Sequence, residues 1–237
     1  MTARRLGLLG GTFDPIHLGH TDLASLAQTT LSLTQVLVIP ANVPPHRTKP
    51  LTSSFHRFAM TALAVAGREG WRASDVELRH EAPSYTTTTL GRFNQQGYQP
   101  TELFFLIGAD AFADITTWRE YPQILDRAHF AVVSRPAYPV AQLREQLGGL
   151  ADRMVVVERG EAPPEQPSII LIDGVTADVS STAIRVKMSA GESIEGMVDD
   201  RVRQHIAQHG LYRSASSNRQ TLSPMEDPPA GRLHGQN

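Results

Sequence analysis

What most constrains this chain is an alternation. Short, continuous apolar runs at residues 5–9, 35–39, 103–107, 130–133, 154–157 and 169–172 are separated by stretches of helical period at 18–30, 54–66, 85–95 and 140–147. A half-exposed strand alternates apolar with polar residues, so strands that are apolar without a break are covered on both faces. Parallel strands need a crossover, and a helix supplies it. The order β-α-β-α therefore predicts an α/β fold, a mainly parallel sheet with helices on both faces and right-handed crossovers. A last helix is expected over residues 194–209, with Ile194, Met197, Val198, Val202 and Ile206 on one stripe and Gly210 at its end.

Composition narrows the function. With 41% apolar and 19% charged residues, the chain has the make-up of a globular protein and not of a disordered or collagenous one. It has no cysteine, which excludes disulfides, thiol catalysis, iron–sulfur clusters and cysteine-bound zinc. The apolar run near the start covers only residues 6–9, too short for a signal-peptide core. No stretch approaches the roughly eighteen apolar residues of a membrane span, and a net charge of -2 offers no field for nucleic acid or membrane. A cytoplasmic protein with neither partner is expected, and a homo-oligomer stays open. Residues 214–237 lack Val, Ile and aromatic side chains and are rich in Ser, Pro and Gly. They read as a disordered tail behind a single domain over residues 1–213.

The first strand runs into Gly10, Gly11, Thr12, Phe13, Asp14, Pro15, Ile16, His17, Leu18, Gly19 and His20. A glycine pair thus falls where a strand meets a helix, at the sheet edge where open α/β sheets bind ligands. Glycine lets backbone approach a phosphate, and the helix start offers unpaired N–H groups. The spacing fits neither GxGxxG nor GxxxxGK[ST]. His17 and His20, three apart, share a face of the first turn and can point at one anion, although a histidine pair on a helix can equally be surface or satisfied core. As zinc ligands they lack an HExxH glutamate and any cysteine, and no protein-held metal is expected. Far downstream Ser180, Ser181, Thr182, Ala183, Ile184 and Arg185 put hydroxyls at a helix start and an arginine one turn on. That pattern caps a helix and also suits a phosphate.

GGTFDPIHLGH and SSTAIR resemble the paired signatures of the HxGH nucleotidyltransferases, and specifically the bacterial nicotinate-nucleotide adenylyltransferase family. Four intermediate stretches also fit: Pro44-Pro45-His46-Arg47, Pro83-Ser84-Tyr85-Thr86, Gly108-Ala109-Asp110 with Trp118 beyond it, and Ser134-Arg135-Pro136. The resemblance implies a Rossmann-like fold and transfer of AMP from Mg²⁺-ATP to nicotinate mononucleotide, giving deamido-NAD and pyrophosphate. It implies that ATP meets Gly10, Gly11, Thr12, Phe13, His17, His20, Gly108, Asp110, Ser181, Thr182 and Arg185, with His17, His20 and Arg185 catalytic. Tyr85, Thr86, Trp118, His46, Arg47 and Arg135 would receive the mononucleotide. Thr86 and its neighbours would donate to the carboxylate, free of any acidic side chain. Two features depart from the pattern: Arg47 stands where the family often has lysine, and Val179 precedes the serine motif in place of the usual isoleucine. An adenylyltransferase for phosphopantetheine is the nearest rival, but it usually carries threonine where this chain has His17. A non-catalytic nucleotide sensor of the same fold is the rival of a different class.

Overall fold

The sheet follows from where the apolar runs can hide. In a computed structural model, which describes residues 4–44 and 50–214, the elements in chain order are β1 (Leu6–Gly11), α1 (Leu18–Leu31), β2 (Gln35–Pro40), α2 (Ser54–Val65), β3 (Trp71–Ala73), α3 (Thr86–Gln95), β4 (Leu103–Gly108), α4 (Ala109–Phe112), β5 (His129–Val133), α5 (Leu143–Gln146), β6 (Met154–Val156), β7 (Ile169–Ile172), α6 (Ser181–Ala190) and α7 (Asp200–Gln208). The strands form one sheet in the order β3-β2-β1-β4-β5-β7-β6, with every neighbouring pair parallel. This is the Rossmann-like arrangement. Successive strand residues point to opposite faces, so Phe104, Leu106, Ala131 and Val133 join one core while Phe105, Ile107, Phe130 and Val132 join the other. The first core is covered by α1, α2, α6 and α7, the second by α3, α4 and α5.

Three expectations about elements need correction. β3 is absent from the sequence reading because it is only three residues long, too short to show a period, and Trp71 is its one buried side chain. The helix expected over 140–147 breaks into a 3₁₀ turn at Val140–Gln142 and the short α5. The final helix begins at Asp200, where the Asp199 carboxylate accepts from the Arg201 N–H at 2.9 Å. Ile194 and Val198 keep their buried places, but in the turn before the cap, where Gly196 takes φ +73°. A side chain that packs at helical spacing need not lie in a helix. The expected tail, apart from Ser214, lies outside the described residues. Among those described, no helix is long and apolar enough to cross a membrane.

β1 is flanked by β2 on one side and β4 on the other, and chain direction around the sheet reverses between β1 and β4. The crevice beyond the carboxyl ends of these two strands is where such sheets place their ligands. The Gly10–Gly11 corner and the Gly108–Asp110 corner both stand there.

Candidate active site

The loop leaving β1 is held from several directions. Phe13 adopts φ +51°, a conformation a bulky residue keeps only when its surroundings enforce it; its ring is buried and meets His20 edge-on at 5.0 Å. The Asp14 carboxylate is fully engaged, accepting from the Tyr212 hydroxyl at 2.7 Å and from the Leu51 N–H at 2.8 Å. Arg57, on the first turn of α2, is only 1% exposed, and its guanidinium donates to the carbonyls of Thr12, Ala41, Asn42 and Thr52. Backbone oxygens from the loops after β1 and β2 thereby share one fixed cation.

His17 is the N-cap residue of α1, extended at φ -146°, and His20 lies in the first turn. Their rings lie 3.7 Å apart, tilted by 31°. The His17 N–H donates to His20 Nδ1 at 3.3 Å, so the neutral His20 ring carries its proton on Nε2. His17 is buried, and its Nδ1 has no hydrogen-bond partner among the described residues. An orphaned buried polar atom is the state expected of a group completed by a ligand. Gly19, between the two histidines, has no room for a side chain: a Cβ there would stand 2.7 Å from Arg135 Nη1 and 3.0 Å from the Ala177 carbonyl oxygen.

The serine motif, far off in sequence, packs against this same loop. Ser180 caps α6 by accepting from the Ala183 N–H at 3.1 Å. The Ser181 hydroxyl donates to the Pro15 carbonyl at 2.9 Å, and Arg185 donates to the Asp14 carbonyl at 2.8 Å and to Thr182 Oγ1 at 3.1 Å. Gly10, Gly11, Thr12, Phe13, His17, His20, Ser181, Thr182 and Arg185 are thus one neighbourhood. Gly108 joins it through Arg135, whose side chain would meet a Cβ on Gly108 at 3.0 Å. Asp110 is exposed in the first turn of α4.

Arg135 is held by backbone carbonyls beside the histidine pair. Its guanidinium donates to the Gly19 carbonyl at 3.0 Å and the Val179 carbonyl at 3.4 Å, which ties it to α1 and the approach to α6 and not to Tyr85. Its charge bears on His17, whose pKa is pushed down to about 3, first by burial and then by Arg135. His129, stacked on Phe104 at 4.9 Å, is pushed down to about 4 by burial. Both rings are neutral in the folded chain at pH 7, whereas the unfolded chain protonates them near pH 6.5. The folded state refuses protons that the unfolded state accepts, so stability is full above pH 6.5 and falls as the pH drops toward 4. Each ring contributes at most about 1.4 kcal/mol per pH unit over that window. Urea unfolding at pH 7, 6 and 5 should show the decline, and His17→Asn should make it shallower; an unchanged slope would clear His17 of this role.

A second cleft, about 110 Å³, is lined by Glu77, His80, Tyr85, Thr88, Arg92 and Arg119 among others. That volume is below the roughly 300–1,000 Å³ of sites that engulf a whole ligand, so the cleft suits one end of a substrate. Tyr85 is the N-cap residue of α3 and Thr86 its first residue, both half-buried. The segment after α4 folds onto this helix start: the Arg119 guanidinium lies 4.6 Å from the Tyr85 ring centre, and Thr87 donates to Glu120 at 2.7 Å. Trp118 is half-buried and packs edge-on to Phe105 at 6.0 Å. The expectation of a threonine run free of carboxylates is overturned. Thr89 donates to the buried Glu77 at 2.6 Å, so the hydroxyls of Thr87 and Thr89 are both spent on glutamates. Burial raises the Glu77 pKa, favouring its neutral form. Arg119, which the motifs do not mark, adds its positive charge to that of Arg92. His46 and Arg47 lie outside the described residues.

The chain is similar to known proteins in sequence and in fold. Residues 8–187 match the cytidylyltransferase-like family. A protein of Desulfatibacillum aliphaticivorans named "Probable nicotinate-nucleotide adenylyltransferase" is 40% identical over 217 residues, covering 88% of this chain and 99% of that one. The nicotinate-nucleotide adenylyltransferase of an Escherichia coli O6:H1 strain is 38% identical over 209 residues, with 87% and 97% covered. In fold, the chain is similar to Plasmodium falciparum nicotinic acid mononucleotide adenylyltransferase complexed with NaAD, at a TM-score of 0.68 and 17% identity over 88% of this chain and 97% of that one. The chain belongs to the cytidylyltransferase-like family and, within it, to the nicotinate-nucleotide adenylyltransferases.

Proposed function

We propose that this enzyme transfers AMP from ATP to nicotinate mononucleotide, forming nicotinate adenine dinucleotide and releasing pyrophosphate, and that it works in the cytoplasm. One observation carries the reading: two phosphate-suited clusters far apart in sequence are hydrogen-bonded into one site, through Ser181 to Pro15 and Arg185 to Asp14, across 166 and 171 residues. A triphosphate is long enough to occupy both. Curated relatives bearing this activity in their names support it.

The chemistry suits the residues. The attacking group is the mononucleotide's 5′-phosphate, already mostly dianionic at pH 7 because its second pKa is about 6. No general base is needed. One of its oxygens forms a bond to the α-phosphorus of ATP as the bond from that phosphorus to the β-bridging oxygen breaks, and pyrophosphate departs with the electron pair. The enzyme's tasks are to hold two anions in line and to stabilise charge on the equatorial and leaving oxygens. His20, with its proton on Nε2, is a hydrogen-bond donor for the α-phosphate. Thr182, Arg185 and the N–H groups at the start of α6 receive the β,γ end. Burial holds His17 neutral, so it contributes a hydrogen bond and position but no charge of its own.

Magnesium fits this site as a companion of ATP. Asp14 is already committed to Tyr212 and Leu51, and Asp173 to Ser134 and Gly174. Among the described residues these two carboxylates therefore form no cage here, and Mg²⁺ ordinarily binds through substrate phosphates. When bound it neutralises triphosphate charge.

Pyrophosphate release, measured with nicotinate mononucleotide, nicotinamide mononucleotide and phosphopantetheine in turn, tests class, reaction and acceptor together. The nicotinate form should be used best, because Arg119 and the N–H groups at the start of α3 suit its carboxylate. Best use of phosphopantetheine would favour the rival enzyme, and no turnover with any of the three the sensor. Two variants then separate the pockets. Trp118→Ala should weaken the acceptor by about 1 to 3 kcal/mol, the range for base–aromatic stacking, with the KM for ATP unmoved. Arg185→Ala should raise the KM for ATP instead, and the reverse pattern would mean that the pockets are exchanged.

A further inference from the structure

Away from the site, α2 and α7 bring three histidines together. His56 sits in the first turn of α2, His205 on α7, and His209 one turn further at that helix's C-cap. His56 Nδ1 and His205 Nε2 are 3.1 Å apart. The ring centres are 5.2 Å apart for His56 and His205, 4.9 Å for His56 and His209, and 4.4 Å for His205 and His209. One nitrogen from each ring lies within 4.8 Å of the other two. His56 and His205 are half-buried while His209 is exposed.

We propose that His56, His205 and His209 form a binding site for one zinc-class divalent ion, which clamps α7 to α2. With zinc–nitrogen bonds of about 2.0–2.1 Å, two imidazole ligands in a tetrahedron have nitrogens a little over 3 Å apart, close to the His56–His205 separation. Small rotations of the exposed His209 ring bring the third nitrogen in. In the metal-free cluster one proton is shared between His56 and His205; the ion takes its place, and the proton moves to the far nitrogen of its own ring. Three neutral imidazoles with no carboxylate select zinc, cobalt, nickel or copper over magnesium and calcium. The exposed side of His209 leaves the fourth position to water.

The location gives the ion a structural effect. His56 is next to Arg57, which holds the Thr12 carbonyl, and His209 is three residues before Tyr212, which holds Asp14. The clamp would therefore fasten both supports of the β1–α1 loop. The proposal does not depend on which acceptor the enzyme uses.

The test is titration of the chelator-treated full chain with Zn²⁺ by calorimetry, with Co²⁺ as a spectroscopic probe and Mg²⁺ as control. We expect one ion per chain, cobalt absorption typical of low coordination number, and a melting temperature roughly 5–11 °C higher at a hundredfold excess over Kd. His205→Gln and the exposed His209→Ala should each weaken Zn²⁺ at least tenfold. His20→Ala should leave it unchanged, which separates this site from the histidines of the active site. Zn²⁺ affinity within twofold of wild type in His209→Ala, an equal response to Mg²⁺, or no saturable zinc binding below millimolar concentration would overturn the proposal.

Discussion

His20→Ala is expected to lower kcat by about 10²- to 10³-fold, roughly 3 to 4 kcal/mol, the scale for losing one preorganised donor aimed at developing charge. The geometry explains why the loss should appear in turnover more than in binding. His20 is fixed on one side by the His17 N–H and on another by the edge of Phe13, so its Nε2 proton is directed before substrate arrives. A donor that needs no reorganisation gains most where charge increases, on the oxygens around the attacked phosphorus. The KM for ATP should change much less, because on the proposed reading Thr182, Arg185 and the helix N-termini would still hold the triphosphate. Single-turnover kinetics with circular dichroism as a folding control would decide it. Turnover within a few-fold of wild type would remove His20 from the chemistry.

The second large effect is expected at Arg57. Arg57→Met keeps much of the buried volume and removes every donor, leaving the carbonyls of Thr12, Ala41, Asn42 and Thr52 without this partner. Each buried oxygen left unsatisfied costs about 1–3 kcal/mol. Part of that is offset because a buried cation no longer has to be desolvated; burial already lowers the Arg57 pKa. A net loss of about 3 kcal/mol is expected, which for a chain of this size lowers the melting temperature by roughly 6–12 °C. Arg57→Lys keeps the charge but not the fork of donors and should fall between. A melting temperature within 2 °C of wild type in the methionine variant would show that water replaces the guanidinium at little cost.

Much of this was legible before the structure. Six strands were readable because double burial makes them continuous apolar runs, and the residues 169–172 match β7 to the residue. The β1–α1 corner and the serine motif were legible as motifs, since each places residues suited to a phosphate close together in the sequence. What escaped within the site has a common physical cause: it depends on contacts between distant segments. Arg57 reads as one more arginine on an amphipathic helix until four carbonyls converge on it. Arg119 gains its meaning only from the Tyr85 ring, and Glu77 from Thr89. The placement of Arg135 beside the histidine pair is set in the same way, because its neighbours Gly19 and Val179 lie 116 and 44 residues away.

The bond from Tyr212 to Asp14 spans 198 residues. During synthesis the N-terminal strand and its histidines emerge first and can begin to fold, yet the Asp14 loop lacks this anchor until nearly the whole domain has been made. Contacts at such separation are slow to form, because the entropy of closing the long loop is lost before the contact offsets it. The order of events is thereby built into the covalent sequence: an enzyme truncated before residue 212 by a stalled ribosome or a protease carries every residue of the nucleotide signature on a loop missing one of its two carboxylate anchors. Incomplete chains are in this way poorly equipped to turn over ATP, without any separate device to silence them.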